Sequence, residues 1–330
     1  MNARPTLIAA ALVSALMALA VAPPSQAQTK SKAAPKTAWG DPDIGGAYAE
    51  FTTAPLERPA ELGDREFYTS QDEWKKYAEK RLNDVNEDVE TVPGTQADVH
   101  YNMGTFKLSE NEGVTSLNMR TSIVTTKNGR IPTLTPAAAA RRDARAATRK
   151  GHEFDGPEVR SLTERCIVWP STLAPILPRG YNSNLQIFQS PGYVIIQGEM
   201  GDPRMIPTDR RPLPAKLVPQ WNGTSVGRWE GETFVIETAG FHPETAWRDS
   251  SDKLHVTERI TRIGEKTLEY AFTVTDPDTW ETPWTGVYPL TQMDGLLFEY
   301  ACTEGNYGLA NILAGERERE RQRAAASKPQ

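Results

Sequence analysis

The sequence predicts a mainly β protein. Its C-terminal half is expected to form an antiparallel β-barrel or sandwich of lipocalin-like form, wrapped by N-terminal loops and two helices. Residues 225–276 carry the strongest signal, because they contain two successive β-hairpins closed by glycine-bearing turns at Gly231 and Gly264. Eight or nine β-prone segments follow one another over roughly 120 residues, a spacing typical of barrels and sandwiches. The sequence has no repeat beyond these hairpins, which disfavours a propeller.

The start of the chain has the order of a cleaved signal peptide. Arg4 supplies a positive charge, residues 7–22 are apolar, and a small-x-small cleavage motif ends at Ala27. The apolar run is shorter than the roughly 20 residues of a membrane span, although an uncleaved anchor stays open as the alternative. Residues 28–38 then form a flexible tether. We expect a periplasmic or secreted protein with no stable membrane insertion.

Residues 39–165 are expected to wrap the barrel, and they contain the first of two predicted helices. Thr69 or Ser70 caps this helix, and Glu73 lies in its first turn, where a carboxylate is favourable. Apolar side chains then recur at helical spacing until the helix ends near residues 83–86.

The second predicted helix begins at Pro136, a residue favoured at the first position of a helix. It covers about residues 137–150 and is rich in alanine and arginine. It has few large apolar side chains, so we expect it on the surface, ending at Gly151. Before it, residues 120–126 read as a β-strand.

The barrel itself is predicted over residues 166–315, within a single domain of residues 39–315. Strand segments alternate with glycine- and proline-bearing breaks, and a turn at residues 293–295 indicates a third hairpin. Residues 316–330 form a charged tail, either a helix or disordered, to which we assign no function. Besides the two central hairpins, the predicted strands cover residues 187–189, 193–199, 204–207, 286–292 and 296–302.

The chain has two cysteines, Cys166 and Cys302. In an oxidising compartment such a pair predicts a disulfide bond, with two buried free thiols as the alternative. Neither residue lies in a Cys-His signature, so a cysteine nucleophile is disfavoured.

Composition and motifs exclude several function classes. The net charge of −6 disfavours a nucleic-acid partner, because phosphate binding needs clustered basic residues. Glycine-rich phosphate loops, a GxSxG elbow and metal-ligand spacings of histidine are absent from the sequence. We therefore predict no cofactor and no metal, and the oligomeric state is left open. The one basic cluster lies along a solvated helix flank: Arg141, Arg142, Arg145, Arg149 and Lys150.

Strand alternation selects the candidate catalytic residues. Glu258 shares a face with the apolar residues of the segment LHVTERI, and a buried carboxylate needs either a partner or a raised pKa. One interpretation is an ion pair with Arg204 or Arg228 from a neighbouring strand. The other is a general acid or base in a barrel mouth, with His255 as proton carrier and Arg204 as anion stabiliser. Both interpretations stay open.

A second carboxylate, Glu199, shares a strand face with Gln197. These two residues either join Glu258 in one pocket or lie on the solvent side of the sheet, with Val194 and Ile196 facing the core. In one pocket, neighbouring carboxylates would separate their pKa values and suit acid/base work.

Aromatic side chains in or beside loops are the candidate ligand-binding residues. Trp169, Tyr181 and Trp247 could line a rim that stacks on sugars or aromatic rings, or they could fill the core. If the disulfide forms, it brings Trp169 and Tyr307 into one neighbourhood, which we predict as a pocket wall.

Motifs spread over nearly the whole mature chain carry a resemblance. They are WGDPDIGG, TAPLERP, GRWEGETFVIET, LHVTERI and EYACTEGNYGLANIL. With them the chain resembles a large, mostly uncharacterised group of exported bacterial proteins. The resemblance implies export and a shared β-rich fold, and it carries no reaction. Members of the group often have histidine where this chain has Thr303.

Three functions follow from these observations. The first is a cofactor-independent lyase, isomerase or hydrolase that acts on a small aromatic or carbohydrate molecule. The second is a non-catalytic periplasmic binding protein for an apolar or glycan ligand, and the third is an envelope interaction module. A water-accessible cavity holding Glu199, Glu258 and Arg204 would favour the enzyme. An apolar cavity would favour the binding protein, and a filled barrel would favour the interaction module.

Overall fold

The computed structural model describes residues 35–50, 52–86, 119–178, 184–245 and 247–327, without the side chains of residues 81–86. The predicted signal peptide, most of the predicted tether and Tyr181 lie outside these residues. The strands are β1 (Gly46–Ala49), β2 (Asn184–Ser190), β3 (Tyr193–Gly198), β4 (Arg204–Pro207), β5 (Thr224–Glu230), β6 (Thr233–Ala239), β7 (His255–Arg262), β8 (Thr267–Thr275) and β9 (Trp284–Gln292). The helices are α1 (Gln71–Asn86), α2 (Pro136–Arg149) and α3 (Tyr307–Ala326), with short 3-10 turns at Ala60–Leu62, Pro157–Val159 and Trp247–Asp249.

All nine strands belong to one antiparallel sheet in the order β4-β3-β2-β1-β9-β8-β7-β6-β5. The two edge strands, β4 and β5, lie beside each other, so the sheet curls into a nearly closed barrel. The predicted fold class is confirmed. Both central hairpins form as expected, because β5 pairs with β6 and β7 pairs with β8.

The third predicted hairpin is wrong. Residues 296–302 form no strand, and the free side of β9 instead pairs with β1, where Tyr48 lies opposite Gln292. Strand β1 could not be predicted from the sequence, because it has only four residues and none of them is β-branched. Residues 120–126 also form isolated bridges rather than a strand, at Arg120 and Val124.

Inward-facing side chains fill the barrel. Every second residue of β8 is buried, including Tyr270 and Phe272, and the largest buried side chain belongs to Trp284. Burying each such ring stabilises the fold by roughly 1.5–3 kcal/mol. The ring of Phe272 lies over Gly286 on β9, where an added Cβ would be 2.3 Å from the ring. The packing of the Phe272 ring therefore requires glycine at position 286.

A buried segment, residues 171–176, lies against the inward side of the barrel, and we call it the plug. The backbone N–H of Ile176 donates to the Tyr270 hydroxyl at 2.8 Å, and the Tyr288 hydroxyl donates to the carbonyl of Ile176 at 3.1 Å. The hydroxyl of Ser171 donates to the carbonyl of Met200, two residues beyond β3. Inward-facing tyrosines thus satisfy the buried backbone groups of Ile176.

The predicted helices α1 and α2 are confirmed, with their caps. The hydroxyl of Ser70 accepts from the backbone N–H of Glu73 at 3.1 Å, while the Glu73 carboxylate accepts from the backbone N–H of Thr69 at 2.8 Å. Thr135 caps α2 by accepting from the N–H of Ala138 at 3.1 Å. The α2 helix lies on the surface as predicted, and only its Ala138 is buried.

The chain after β9, residues 293–327, forms an arm that ends in α3. A disulfide joins Cys302 of the arm to Cys166, with 5.6 Å between their Cα atoms, so the predicted pairing is confirmed. Asn306 and Arg317 add hydrogen bonds to the carbonyls of Glu164 and Phe154, at 3.0 and 2.6 Å. Among the described residues, no helix is long and apolar enough to cross a membrane.

Candidate functional site

Glu258 and Arg204 form an ion pair inside the barrel. In β7 the side chain of Glu258 points inward and is fully buried, and Arg204 of β4 is 4% exposed. The guanidinium binds both carboxylate oxygens, with Nη1–Oε1 at 2.9 Å and Nη2–Oε2 at 2.5 Å. Its Nη2 also donates to the hydroxyls of Thr238 and Ser225, at 3.1 and 3.2 Å. Such a bidentate pair is a strong, directional contact.

Tyr270 completes this buried network. Its hydroxyl donates to Oε1 of Glu258 at 2.6 Å and accepts from the plug at Ile176. Burial and the neighbouring Glu258 charge raise the pKa of Tyr270 well above its usual value. Burial by itself would lower the pKa of Arg204, but the attraction and hydrogen bonds of Glu258 outweigh it and raise that pKa. Arg204 thus stays charged and Tyr270 stays neutral at any physiological pH.

The sequence left open whether Glu258 forms an ion pair or acts as a general acid or base. In the structure Glu258 forms an ion pair, and its partner is Arg204. The carboxylate of Glu258 has no solvent contact, and its hydrogen bonds are to Arg204 and Tyr270, which are themselves buried. A general acid or base has to reach a substrate proton directly or through one water. Glu258 and Arg204 lack that access in this structure.

Glu199 and Gln197 do not join Glu258, so of the two alternatives the structure has the one in which they lie on the solvent side of the sheet. Val194 and Ile196 take the inward positions of β3, and Ile196 lies opposite Arg204 in the register. Glu199 instead accepts from the side-chain amide of Asn184 at 3.0 Å, and Gln197 donates to the carbonyl of Gly198 at 2.7 Å. The alternation of the strand separates the two sets of polar side chains onto opposite faces.

His255 and Arg228 also lie on the outer face of the barrel. Arg228 bridges two carboxylates, Glu230 at 2.9 Å and Glu237 at 2.6 Å. Nε2 of His255 is 3.9 Å from Glu237. These residues form an exposed polar ladder across β5, β6 and β7, which the sheet separates from Glu258. A proton relay from His255 to Glu258 has no path within this arrangement.

Trp247 packs into the core rather than lining a cavity. Its ring stacks on Trp284 with 5.9 Å between centroids, and it meets Trp280 edge-on at 6.1 Å. The core-filling interpretation of this aromatic residue therefore agrees with the structure. Tyr181 lies outside the described residues.

A cavity of about 460 Å³ lies beside the disulfide, and we call it the disulfide pocket. Trp169 forms one wall, as predicted, and meets Tyr300 edge-to-face at 5.4 Å. Tyr307 is exposed and does not line the pocket, although its neighbours Asn306 and Gly308 do. Tyr300, rather than the predicted Tyr307, is the second aromatic residue of the pocket wall. The sequence does not indicate this position, because residues 296–302 are predicted to form a strand.

Polar groups surround the aromatic pair in the disulfide pocket. The carboxylates of Glu164 and Glu304 and the amide of Asn306 line it. Burial opposes ionisation of Glu164, but hydrogen bonds from Arg160 and Ser161 outweigh it and lower the pKa of Glu164. The side-chain amide of Asn306 donates to the carbonyl of Glu164, which holds this wall in place. The pocket thus presents aromatic surface together with hydrogen-bond acceptors.

Among the described residues, no group of three or more histidine, cysteine or acidic side chains could hold a metal ion. Comparisons with protein-family models, curated proteins and solved structures find no match. The resemblance to exported bacterial proteins therefore stays a prediction. The functional argument depends on the geometry of the pocket.

Proposed function

We propose that this protein is an exported, non-catalytic binding protein that holds a glycan in the disulfide pocket. One observation carries the proposal. Trp169 and Tyr300 meet beside Glu164, Glu304 and Asn306 in a cavity whose lining residues belong to no strand, while Glu258 and Arg204 are sealed inside the barrel. The filled barrel by itself would favour the interaction module, but this cavity outside it provides a ligand site, which supports the binding protein.

A sugar matches the chemistry of this pocket. Each sugar ring has an apolar C–H face, which stacks on aromatic side chains, and a rim of hydroxyl groups. Carboxylates accept hydrogen bonds from such hydroxyls, and two acidic residues, Glu164 and Glu304, line the pocket. A volume of about 460 Å³ lies within the range of small-ligand pockets, about 300–1,000 Å³.

The ionisation of Glu164 supports ligand binding without catalysis. Arg160 lies 2.6 Å from Glu164, and Ser161 donates to the same carboxylate through both its N–H and its hydroxyl at 2.9 Å. A carboxylate with a lowered pKa is a poor general acid, because its proton is absent near neutral pH. Glu164 is therefore suited to accept hydrogen bonds and not to donate a proton.

Export is the second part of the proposal. The disulfide between Cys166 and Cys302 supports it, because such bonds persist in oxidising compartments. The signal-peptide pattern of the first 27 residues supports it independently. Export would place the pocket in the periplasm or outside the cell.

The proposal is tested by screening the oxidised full chain against immobilised oligosaccharides and measuring the hits by calorimetry. We expect Trp169→Ala and Tyr300→Ala each to weaken binding about tenfold, corresponding to about 1.4 kcal/mol. Trp39→Ala and Tyr193→Ala are matched controls, because both side chains are exposed and lie outside the pocket.

Three results would contradict the proposal. One is equal weakening by the control variants. Another is turnover of a sugar that disappears in Glu258→Gln while the variant stays folded, which would restore the enzyme. The last is binding of no glycan together with self-association in light scattering, which would favour the interaction module.

A further inference from the structure

A second cavity, of about 870 Å³, lies between α2, residues 158–165, residues 243–245 and Asp249. Five arginines line it, and we call it the arginine groove: Arg142, Arg145, Arg149, Arg160 and Arg165. We propose that the arginine groove binds a short, elongated polyanion that carries two or more carboxylate or phosphate groups. The groove shares no lining residue with the disulfide pocket, although Arg160 of the groove pairs with Glu164 of the pocket, so this inference does not rest on the glycan proposal.

One wall of the groove is a row of arginines on α2. Arg142, Arg145 and Arg149 are three and then four residues apart, so they lie on one face of the helix. At 1.5 Å per residue the row is about 10 Å long, which exceeds a single phosphate or carboxylate. The small side chains of Ala144 and Ala146 also line the groove and leave room for a ligand.

The opposite wall holds two further guanidinium groups in fixed positions. The side chains of Arg160 and Arg165 are only 16% and 22% exposed. Arg160 donates to the carbonyl of Glu153 at 2.8 Å as well as to Glu164. Arg149 reaches across from α2 and donates to the carbonyl of Val159 at 2.9 Å. The two walls are thus tied together, and little side-chain entropy remains to be lost on binding.

The lining of the groove contains more basic than acidic residues. Five arginines and three acidic residues line it, whereas the chain as a whole carries a net charge of −6. A guanidinium presents a planar fork that matches carboxylate and phosphate oxygens. A long polyanion such as a nucleic acid would also meet the acidic surface elsewhere, so the groove favours a short ligand.

Four carboxylates of the protein already pair with arginines of the groove. Asp143 lies 2.9 Å from Arg142, and Glu164 lies 2.6 Å from Arg160. Asp249 lies 2.6 Å from Arg145, and Glu244 lies 3.2 Å from Arg165. The side chain of Glu244 is 54% exposed, and an exposed ion pair contributes only about 0–1 kcal/mol. A ligand with several anionic groups can therefore displace Glu244. It follows that Glu244 competes with the ligand, and that removing its charge should strengthen binding.

The test is calorimetry of the oxidised full chain with two linear probes, inorganic tripolyphosphate and N-acetylated tetraglutamate. Orthophosphate serves as the short control. We expect at least one probe to bind more tightly than orthophosphate, with an affinity that falls as salt is raised. Binding of tripolyphosphate alone would assign phosphate as the ligand group, and binding of tetraglutamate alone would assign carboxylate.

Variants make the test specific. We expect Arg149→Ala to weaken binding about tenfold and Glu244→Gln to strengthen it about threefold. Arg211→Ala is the matched control, because Arg211 is exposed, pairs with Asp209 and lies outside the groove. The proposal is overturned if neither probe binds, if Arg211→Ala weakens binding as much as Arg149→Ala, or if Glu244→Gln weakens it. Each variant is first checked for an unchanged unfolding midpoint.

Discussion

Replacing Glu258 with glutamine would leave Arg204 with a buried charge and no counter-charge. The wild-type guanidinium makes two charge-assisted hydrogen bonds to the carboxylate, at 2.9 and 2.5 Å. A glutamine can accept from only one side, and its NH₂ group would face donors of Arg204 or Tyr270. Breaking one partner of a buried pair typically costs about 3–5 kcal/mol, because the remaining charge stays desolvated. We expect a loss of stability of that size.

The assay is urea unfolding followed by tryptophan fluorescence, with the change taken at constant m-value. Glu199→Gln is the control, since Glu199 lies on the outer face and should change stability by less than about 1 kcal/mol. Adding Arg204→Met to Glu258→Gln removes the stranded charge. The double variant should be about 1–3 kcal/mol more stable than Glu258→Gln alone. A loss below about 1 kcal/mol for Glu258→Gln would refute the structural role of the pair.

Three further predictions concern other parts of the chain. Gly286→Ala should destabilise the protein by about 1–3 kcal/mol in urea unfolding, because the added Cβ would clash with Phe272. Gly264→Ala is the control and should be neutral, because the atom nearest to its added Cβ is 3.6 Å away. Equal effects of the two variants would contradict the packing argument. Replacing Cys302 with serine should cost about 2–5 kcal/mol in the same assay, because the bridge closes a 136-residue loop in the unfolded chain and so lowers its conformational entropy. An unchanged stability would contradict this role of the disulfide. Hydrogen bonds from the Thr69 backbone, the Thr69 hydroxyl and Arg65 lower the pKa of Glu73 to about 2. The ionised Glu73 therefore contributes its full stabilisation of the fold above the unfolded pKa of about 4.3, and this contribution is lost as the pH falls toward 2. The protection factors of the α1 amides, which are corrected for the intrinsic pH dependence of exchange, should fall as the pH is lowered through that window in the wild type. A Glu73→Gln variant that shows the same pH dependence would contradict this cause.

The parts of the fold that local patterns determine could be predicted from the sequence. The hairpins around Gly231 and Gly264 combine alternating strands with turn residues, so their pairing is local. The caps of α1 and α2 likewise depend on neighbours within four residues, as with Thr135 and Ala138. In both cases the stabilising contacts join residues that are close together in the sequence.

Non-local pairing could not be predicted. The partner of β9 is β1, which lies more than 200 residues earlier in the chain and has no β signature of its own. Residues 296–302 have a strong β pattern, yet β1 already occupies the side of β9 that they would need. A propensity for strand does not decide which edge is free.

The candidate site was predicted only in part. Alternation identified Glu258 as an inward carboxylate, and it named Arg204 as one of two partners, because a buried charge needs compensation. The choice of Arg204 over Arg228 required the closure of the barrel, which brings β4 beside β5 and Arg204 within hydrogen-bonding distance of Ser225 and Thr238, and which the sequence does not determine. The cysteine pair located the disulfide pocket, but the second aromatic wall, Tyr300, depends on the path of the arm.

Hydrogen exchange with and without the tightest-binding oligosaccharide tests the central claim most directly. That claim is that ligand binds at the disulfide pocket and that the barrel interior is structural. The account predicts slower exchange in peptides covering residues 163–169 and 300–308, with no change in β4 or β7. Slower exchange around Arg204 and Glu258, with none at the pocket, would contradict it.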